Sequence, residues 1–155
     1  MTRPQFTIRD LTHTESVALL ERQNVGRLAH AFRGRVDVVP VSYVHHEGWL
    51  YGRTSLGPKL VTLAHNHWVA FEVDEIRGPF DWTSVVVRGS FHPIDPTESE
   101  PERERFDQAL EVLRSRYPET FTEDDFAPHR TVLFRIHMDE ITGRQGRLEA
   151  PEGTR

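Results

Sequence analysis

The sequence predicts an α+β domain in which five or six antiparallel strands form a small barrel and two or three helices lie on its periphery. Three observations support this prediction. Segments rich in β-branched and aromatic residues recur along the chain, several are joined by short turns with glycine or proline, and helical periodicity is confined to three segments. A barrel is favoured over an open sheet because closure removes exposed strand edges.

The N-terminal region predicts a helix followed by a three-stranded meander. Thr12 and Glu15 fit a capping box that opens an amphipathic helix ending near Asn24. The three strands are separated by turns at residues 33–34 and 45–48, and they cover residues 27–32, 36–44 and 49–53.

The rest of the chain predicts two more helices and three more strands. Pro58 suits the first residue of a helix, where its missing N–H costs nothing, and this helix ends near Asn66. An apolar stripe predicts a third helix over residues 102–117, which Pro118 ends. The strands, rich in β-branched and aromatic residues, cover residues 68–73, 83–91 and 131–137.

Length, charge and composition limit the function classes. We expect one domain over residues 1–155, with a core at about 11–146 and a flexible tail over 147–155. A net charge of −5 argues against a nucleic-acid partner, and the absence of cysteine excludes disulfides, thiolate nucleophiles and cysteine metal sites. No segment has the pattern of a signal peptide or the length of a membrane span, so we expect a cytoplasmic protein without a membrane partner.

The segment LYGRTSLGPKL, residues 50–60, is close to a phosphate-binding P-loop but does not match it. A P-loop has lysine directly after its second glycine and then serine or threonine, whereas Pro58 displaces the lysine here and Leu60 replaces the hydroxyl. The segment nevertheless lies between a strand end and the first turn of a helix, where free N–H groups and the helix dipole favour anions.

Four side chains of this segment could bind phosphate. Arg53 offers a forked donor, Lys59 a mobile charge, and Thr54 and Ser55 hydroxyl groups. The alternative is that the two cations are solvated surface charges and the hydroxyls belong to an ordinary capping turn. Composition alone favours the two interpretations about equally.

Five segments in a fixed order resemble a known family. They are VGRLA at 25–29, VVPVSYV at 38–44, GWLYGRTS with GPKL at 48–60, VAFEVD at 69–74 and WTSVVVRG at 82–89. Together they make the chain similar to the FMN-binding split-barrel proteins, specifically to the pyridoxamine 5′-phosphate oxidase-related branch that includes nitroimidazole-resistance and flavin-nucleotide-binding proteins. The resemblance covers about residues 11–146.

This resemblance implies a fold, an assembly and a set of cofactor-binding residues. The fold would be a six-stranded antiparallel, Greek-key-like split barrel with peripheral helices, and two copies would form a homodimer that binds FMN in two clefts at its interface. The phosphate would be held by Arg53, Thr54, Ser55 and Lys59, the flavin ring would be lined by backbone groups of Val39, Pro40 and Val41, and Trp82 and Ser84 would lie near the cleft. Proline inside a strand is itself typical of an edge, a bulge or a ligand-facing stretch, which agrees with this role for Pro40.

The chain also departs from its relatives. Arg53 stands where nitroimidazole-resistance members commonly have a histidine, and residues 141–147 lack the arginine-bearing substrate signature of true pyridoxamine-phosphate oxidases. We therefore expect neither the nitroimidazole substrate chemistry nor a role in vitamin B6 metabolism.

Nine histidines raise the question of a metal or haem site. Their spacing predicts no metal site, because His45 and His46 would alternate across a strand and His65 and His67 lie on nearly opposite faces of a helix. Haem is carried by some split-barrel relatives, but no histidine is identifiable as its axial ligand.

The leading hypothesis is a dimeric FMN-dependent oxidoreductase that passes electrons from reduced flavin to a small acceptor. No catalytic side chain is predicted, because the cofactor carries the chemistry. The alternatives are a deazaflavin-dependent reductase and a non-enzymatic flavin- or haem-binding module on the same barrel.

Overall fold

The computed structural model describes residues 3–151, and every strand in that range belongs to one antiparallel sheet. The elements in chain order are β1 (Gln5–Asp10), α1 (His13–Arg22), β2 (Val25–Phe32), β3 (Arg35–Ser42), β4 (Val44–His46), β5 (Trp49–Thr54), α2 (Pro58–His65), β6 (Trp68–Gly78), β7 (Asp81–Ile94), α3 (Glu100–Arg114) and β8 (Val132–Glu149).

The sheet curls into a barrel. Its strand order is β3-β2-β6-β7-β8-β5-β4, with β1 added along β8. The strands β3 and β4 stand at opposite ends of this order, yet only Tyr43 separates them in the chain, so the two ends of the sheet must meet. The buried Tyr43 seals this corner, because its hydroxyl donates a hydrogen bond to the carbonyl of Leu20 at 2.6 Å.

The sheet has eight strands among the described residues, whereas the sequence predicted six at most. One predicted strand, 36–44, is divided at Tyr43 into β3 and β4, and β1 was not predicted. Five of the six residues of β1 are exposed, so its sequence carries no alternation that would mark a half-buried strand.

The prediction of a flexible C-terminal tail over residues 147–155 is wrong for its first three residues. Residues 147–149 are the end of β8, paired with β1 in the register Phe6↔Leu148, and are not part of a flexible tail. The partner strand lies at the other end of the chain, so local sequence gives no sign of it. Residues 152–155 of the predicted tail lie outside the described residues.

The helix starts follow their local sequence. Thr12 accepts a hydrogen bond from the backbone N–H of Glu15 at 3.1 Å and the Glu15 carboxylate accepts one from the N–H of Thr12 at 3.0 Å, so the predicted capping box is confirmed. Helix α2 starts at Pro58 as predicted. None of the helices in residues 3–151 is long and apolar enough to cross a membrane.

Two tight turns set the strand registers. Arg33 and Gly34 connect β2 to β3, Glu47 and Gly48 connect β4 to β5, and all four have positive φ angles, between 49° and 82°. Two consecutive residues with positive φ are typical of the hairpin turn whose twist matches that of the strands it joins.

The hydrophobic residues form two clusters. The first fills the barrel and includes Leu19 and Leu20 of α1 and Leu63 of α2, while the second lies between α3 and the outer sides of β5 and β8. Gly52 lets β5 pack closely against β8, since a Cβ at this position would overlap the ring of Phe134. The end of β5 is thereby fixed against the core just before the segment 53–60 begins.

Candidate functional site

A cleft of about 180 Å³ lies where the end of β5, the start of α2, the edge strand β3 and the loop 115–131 meet. It is lined by Pro40, Val41, Arg53, Thr54, Ser55, Lys59, His129 and Arg130. The structure thus brings together six of the nine residues that the sequence analysis proposed for cofactor binding.

The start of α2 contributes the anion preference of a helix N-terminus. No side chain caps this helix, and Pro58 at its first position has no N–H to satisfy. The uncapped donors and the helix dipole leave partial positive charge at this end of the cleft.

Two cations share the cleft without a carboxylate. Lys59 is half-buried, and its pKa is lowered from the ordinary lysine value first by burial and then by the nearby Arg130 guanidinium. Within residues 3–151, neither Lys59 nor Arg130 forms an ion pair, and no acidic residue lines the cleft. Lys59 is the only lysine of the chain. An anion in the cleft would offset the repulsion between the two charges.

The hydroxyls of Thr54 and Ser55 are available as additional donors. Thr54 is buried at the end of β5 and Ser55 is half-buried in the turn before α2. Neither side chain forms a hydrogen bond to any residue that the structure describes. Free hydroxyls beside two cations are the donor set that a phosphate group requires.

Arg53 does not present its guanidinium as a free phosphate fork, which differs from its predicted role. Its terminal nitrogens donate to both carboxylate oxygens of Asp125 at 3.0 and 2.8 Å, and it also donates to the carbonyls of Ala127 (2.8 Å) and Arg130 (2.9 Å). The guanidinium carbon lies 4.7 Å from the ring centroid of Phe121. These contacts hold the loop 115–131 against β5, so Arg53 positions the loop.

The same ion pair explains the electrostatics of Asp125. Its carboxylate accepts two hydrogen bonds from Arg53 and two from backbone N–H groups, of Ala127 at 2.9 Å and Phe121 at 3.0 Å. The Arg53 hydrogen bonds and then the Ala127 N–H hold the pKa of Asp125 well below its ordinary value. The carboxylate is therefore charged and fully engaged, and it does not oppose an anion in the cleft.

His129 and Arg130 were missed by the sequence analysis. Both belong to a loop of irregular structure that Arg53 holds at the cleft through Asp125 and through the carbonyls of Ala127 and Arg130. The only local signal is a pair of basic residues just before the last strand, and adjacent basic residues are common on surfaces without function.

Val39 lies in an adjoining, larger cleft of about 380 Å³ between α2 and the hairpin of β2 and β3. Lys59 lines both clefts. The strand β3 is at the end of the sheet order, so Pro40 occupies an edge strand, as its residue type predicted. The backbone of residues 39–41 therefore runs along both clefts at an open sheet edge.

Trp82 and Ser84 are not brought to either cleft within one chain. They pair with Gly146 and Arg144 at one end of the 18-residue strand β8, whereas Thr54 pairs with Val132 at its other end. The Trp82 ring packs near Phe6, and the Ser84 hydroxyl donates to Glu72 at 3.1 Å. Any contact of these two residues with the cofactor would need a second copy of the chain.

Histidine and carboxylate side chains form no metal-binding cluster in residues 3–151: no group of three or more is arranged to hold an ion.

Comparison with known proteins assigns the family. The model of the pyridoxamine 5′-phosphate oxidase family matches residues 12–145, and this chain belongs to that family. An FAD-binding protein from Mesorhizobium loti is 30% identical with a TM-score of 0.71, and the alignment covers 89% of this chain and 97% of that one. An FAD-binding protein from Mycobacterium smegmatis is 25% identical with a TM-score of 0.66, covering 90% and 100%.

One curated relative aligns with this chain over most of the length of both proteins. An uncharacterized protein of Rhizobium meliloti is 25% identical over an alignment of 145 residues, which covers 88% of this chain and 94% of that protein. The structural similarity confirms the predicted fold class, an α+β split barrel with peripheral helices.

Proposed function

We propose that this member of the pyridoxamine 5′-phosphate oxidase family binds FMN and acts as an oxidoreductase that passes electrons from the reduced flavin to a small acceptor. The observation that carries the proposal is the pair of cations, Lys59 and Arg130, which among residues 3–151 share a cleft with two hydroxyls that form no hydrogen bond and with no carboxylate. A phosphate group has the charge and the acceptor atoms that this donor set lacks.

The two clefts fit the two ends of the cofactor. Lys59, Arg130, Thr54 and Ser55 would hold the phosphate in the smaller cleft, and the larger one, walled by Phe32, Val38 and Val39, offers apolar surface to a planar ring. The two adjoining clefts, of about 180 and 380 Å³, together fall within the range of about 300–1,000 Å³ that is typical of a cofactor site.

The bound flavin would supply two-electron chemistry, and the chain would supply binding, orientation and exclusion of water. Among the described residues, no side chain in the clefts is paired with a base in the manner of an activated nucleophile. The residues of the chain therefore act by holding the cofactor and shaping access for the acceptor.

We further propose that the protein works as a homodimer in the cytoplasm. Val36, Val38 and Trp68 are between 58% and 68% exposed, and Val36 and Trp68 line a surface depression of about 510 Å³. Its other walls are mostly small apolar residues, with His30, Arg88, Asp139 and Glu140 as the polar ones. A second copy would cover this apolar face, which is larger than isolated exposed residues account for. It would also supply the Trp82 and Ser84 that one chain cannot bring to its own cleft.

The first test is an absorption spectrum of the purified protein followed by titration with FMN. Flavin bands that appear on binding, together with reduction by a nicotinamide donor and reoxidation by a small acceptor, are the expected result. Binding without turnover would leave the non-enzymatic flavin module. Binding of only a deazaflavin or haemin would overturn the choice of cofactor.

The assembly has its own test. Light scattering should give twice the mass of one chain, and dilution to monomer should release FMN. A monomer that retains FMN would contradict the shared cleft.

FAD is a second candidate cofactor. A cavity of about 120 Å³ adjoins the anion cleft at Arg53 and Arg130 and is lined by Tyr117 and by Phe126, which is 90% exposed. An exposed aromatic ring beside a cation can stack on adenine, and two similar structures are FAD-binding proteins. Phe126→Ala should weaken FAD binding and leave FMN binding unchanged if the adenine lies there.

A further inference from the structure

The larger cleft contains a buried histidine that the proposed phosphate contacts do not use. His30 lies on β2, is only 6% exposed, and lines the cleft together with Asp37 and Lys59. Its Nδ1 atom has almost no accessible surface and no hydrogen-bond partner in residues 3–151. The side chain as a whole forms no hydrogen bond to any described residue.

The Nδ1 atom of His30 is too buried for a ligand to reach, whereas Nε2 keeps accessible surface and also has no hydrogen-bond partner in residues 3–151, so Nε2 is the ring atom that a molecule in the cleft can pair with. Burial lowers the pKa of His30, and Lys59 lowers it further against the opposing effect of Asp37. The ring is therefore neutral near pH 7, with one nitrogen as donor and the other as acceptor.

We propose that His30 is a ligand-contacting residue, whose imidazole hydrogen-bonds the polar edge of the flavin ring while Lys59 and Arg130 hold the phosphate of the same molecule. This inference rests on the proposed function and adds to it the residue that orients the ring. The hydrogen bond would add a buried contact to the polar side chains Arg35, Asp37 and Thr62, which also line the larger cleft.

The shape and chemistry of the cleft support a planar heterocycle. Phe32, Val38 and Val39 form apolar walls, and a small number of polar groups in such a cleft typically fixes the orientation of a ligand. The pyrimidine edge of a flavin presents carbonyl oxygens and an N–H in one plane, so a neutral imidazole can pair with either kind of atom. Because Lys59 lines both clefts, one molecule can reach from the anion cleft to His30.

The chain offers a matched control in His45. Its side chain is 9% exposed and it lies on β4. Its Nδ1 has no hydrogen-bond partner in residues 3–151, although the Glu21 carboxylate lies 3.5 Å away. His45 lines neither of the two clefts. Replacing it tests the effect of removing a largely buried histidine without touching the proposed ring site.

The experiment combines ligand titration with NMR of the full chain labelled with ¹⁵N-histidine. FMN, riboflavin, nicotinamide and inorganic phosphate are added separately to wild type, His30→Phe, His30→Gln and His45→Phe. We expect FMN and riboflavin to shift the His30 ring nitrogens and phosphate alone to leave them nearly unchanged. His30→Phe should weaken the binding of both flavins about tenfold, on the scale of one lost hydrogen bond, while His30→Gln retains part of the affinity and His45→Phe retains all of it.

The outcomes separate this inference from the proposed function. Flavin binding with an unmoved His30 signal, or equal affinity in wild type and His30→Phe, would overturn the role of His30 and leave the flavin assignment intact. A shift with nicotinamide but not with riboflavin would assign the histidine to a different ligand and also overturn it. If no flavin binds wild type, both fail. The wild-type NMR spectrum decides the matter even if a variant does not fold.

Discussion

Replacing Lys59 and Arg130 with alanine should weaken binding of FMN far more than binding of riboflavin, because the two ligands differ only in the phosphate. A charge-assisted hydrogen bond contributes about 1.5–3 kcal/mol, and the lower half of that range suits two cations at an open cleft. Each replacement should therefore raise the Kd for FMN about tenfold, and both together about a hundredfold. The riboflavin Kd should change less than about twofold by the same reasoning, since its contacts remain.

The measurement is a titration of each variant with both ligands, and the informative quantity is the ratio of the two Kd values. Arg103→Ala is the control, because it removes the same charge from an exposed ion pair with Asp107 on α3. A double variant whose ratio equals that of wild type would refute the phosphate site. Equal losses for FMN and riboflavin would show instead that the variants distort the whole cleft.

The pH dependence of FMN binding follows from the same charges. Burial and Arg130 lower the pKa of Lys59 in the free protein, and a phosphate dianion would raise it again. FMN affinity should therefore fall as the pH rises through that lowered pKa, below the pH at which a free lysine side chain loses its proton. Because Lys59 is the only lysine, acylation detected by mass spectrometry can follow its deprotonation directly, and FMN should protect it.

Three further predictions concern the loop next to the site and the stability of the sheet. Asp125→Asn should lower both the melting temperature and the FMN affinity, because Arg53 would lose the carboxylate that ties down the loop 115–131; an unchanged affinity would show that the loop is placed by other contacts. Burial and then Asp74 raise the pKa of Glu72 to about 7, so the folded state binds more protons than the unfolded state between about pH 4.5 and 7, and stability falls across that window as the pH rises. The melting temperature of Glu72→Gln minus that of wild type should therefore increase from pH 5 to pH 8. A difference that stays constant over this range would contradict the prediction. Gly89→Ala should destabilise the protein by about 1–3 kcal/mol or more, because its Cβ would overlap the backbone carbonyl of His137, whereas Gly78→Ala, with open space, should not.

Local sequence predicted the part of the site that is contiguous in the chain. Strand β5, the turn after it and Pro58 at the start of α2 are encoded by neighbouring residues, so Thr54, Ser55 and Lys59 were correctly placed together. Strand β1 and the end of β8 could not be found in the same way, because each is stabilised by a partner more than a hundred residues away. His129 and Arg130 lie in a loop held by the ion pair of Asp125 with Arg53 and by the Arg53 hydrogen bonds to the carbonyls of Ala127 and Arg130, contacts that join residues more than seventy positions apart.

Arg53 shows why residue type alone does not identify the partner of a side chain. A guanidinium binds a carboxylate and a phosphate through the same two parallel N–H donors, so the sequence cannot distinguish the two partners. The fold distinguishes them by placing Asp125 at 2.8 Å from the Arg53 fork. Helix α2 then presents Lys59, a point charge on a flexible stem, to the cleft.

Because Lys59 and Arg53 have different roles, exchanging lysine and arginine should have different effects at the two positions. Lys59→Arg should keep most of the FMN affinity, because any cation at the start of α2 can approach a phosphate from several directions. Arg53→Lys keeps the charge but cannot form the bidentate contact with Asp125 and the carbonyl contacts together, so it should lower the melting temperature and weaken FMN indirectly through loop 115–131. The two variants are compared by melting temperature and by the ratio of FMN to riboflavin affinity. If Arg53→Lys lowered that ratio without changing the melting temperature, Arg53 would contact the phosphate itself and the positioning role would be wrong.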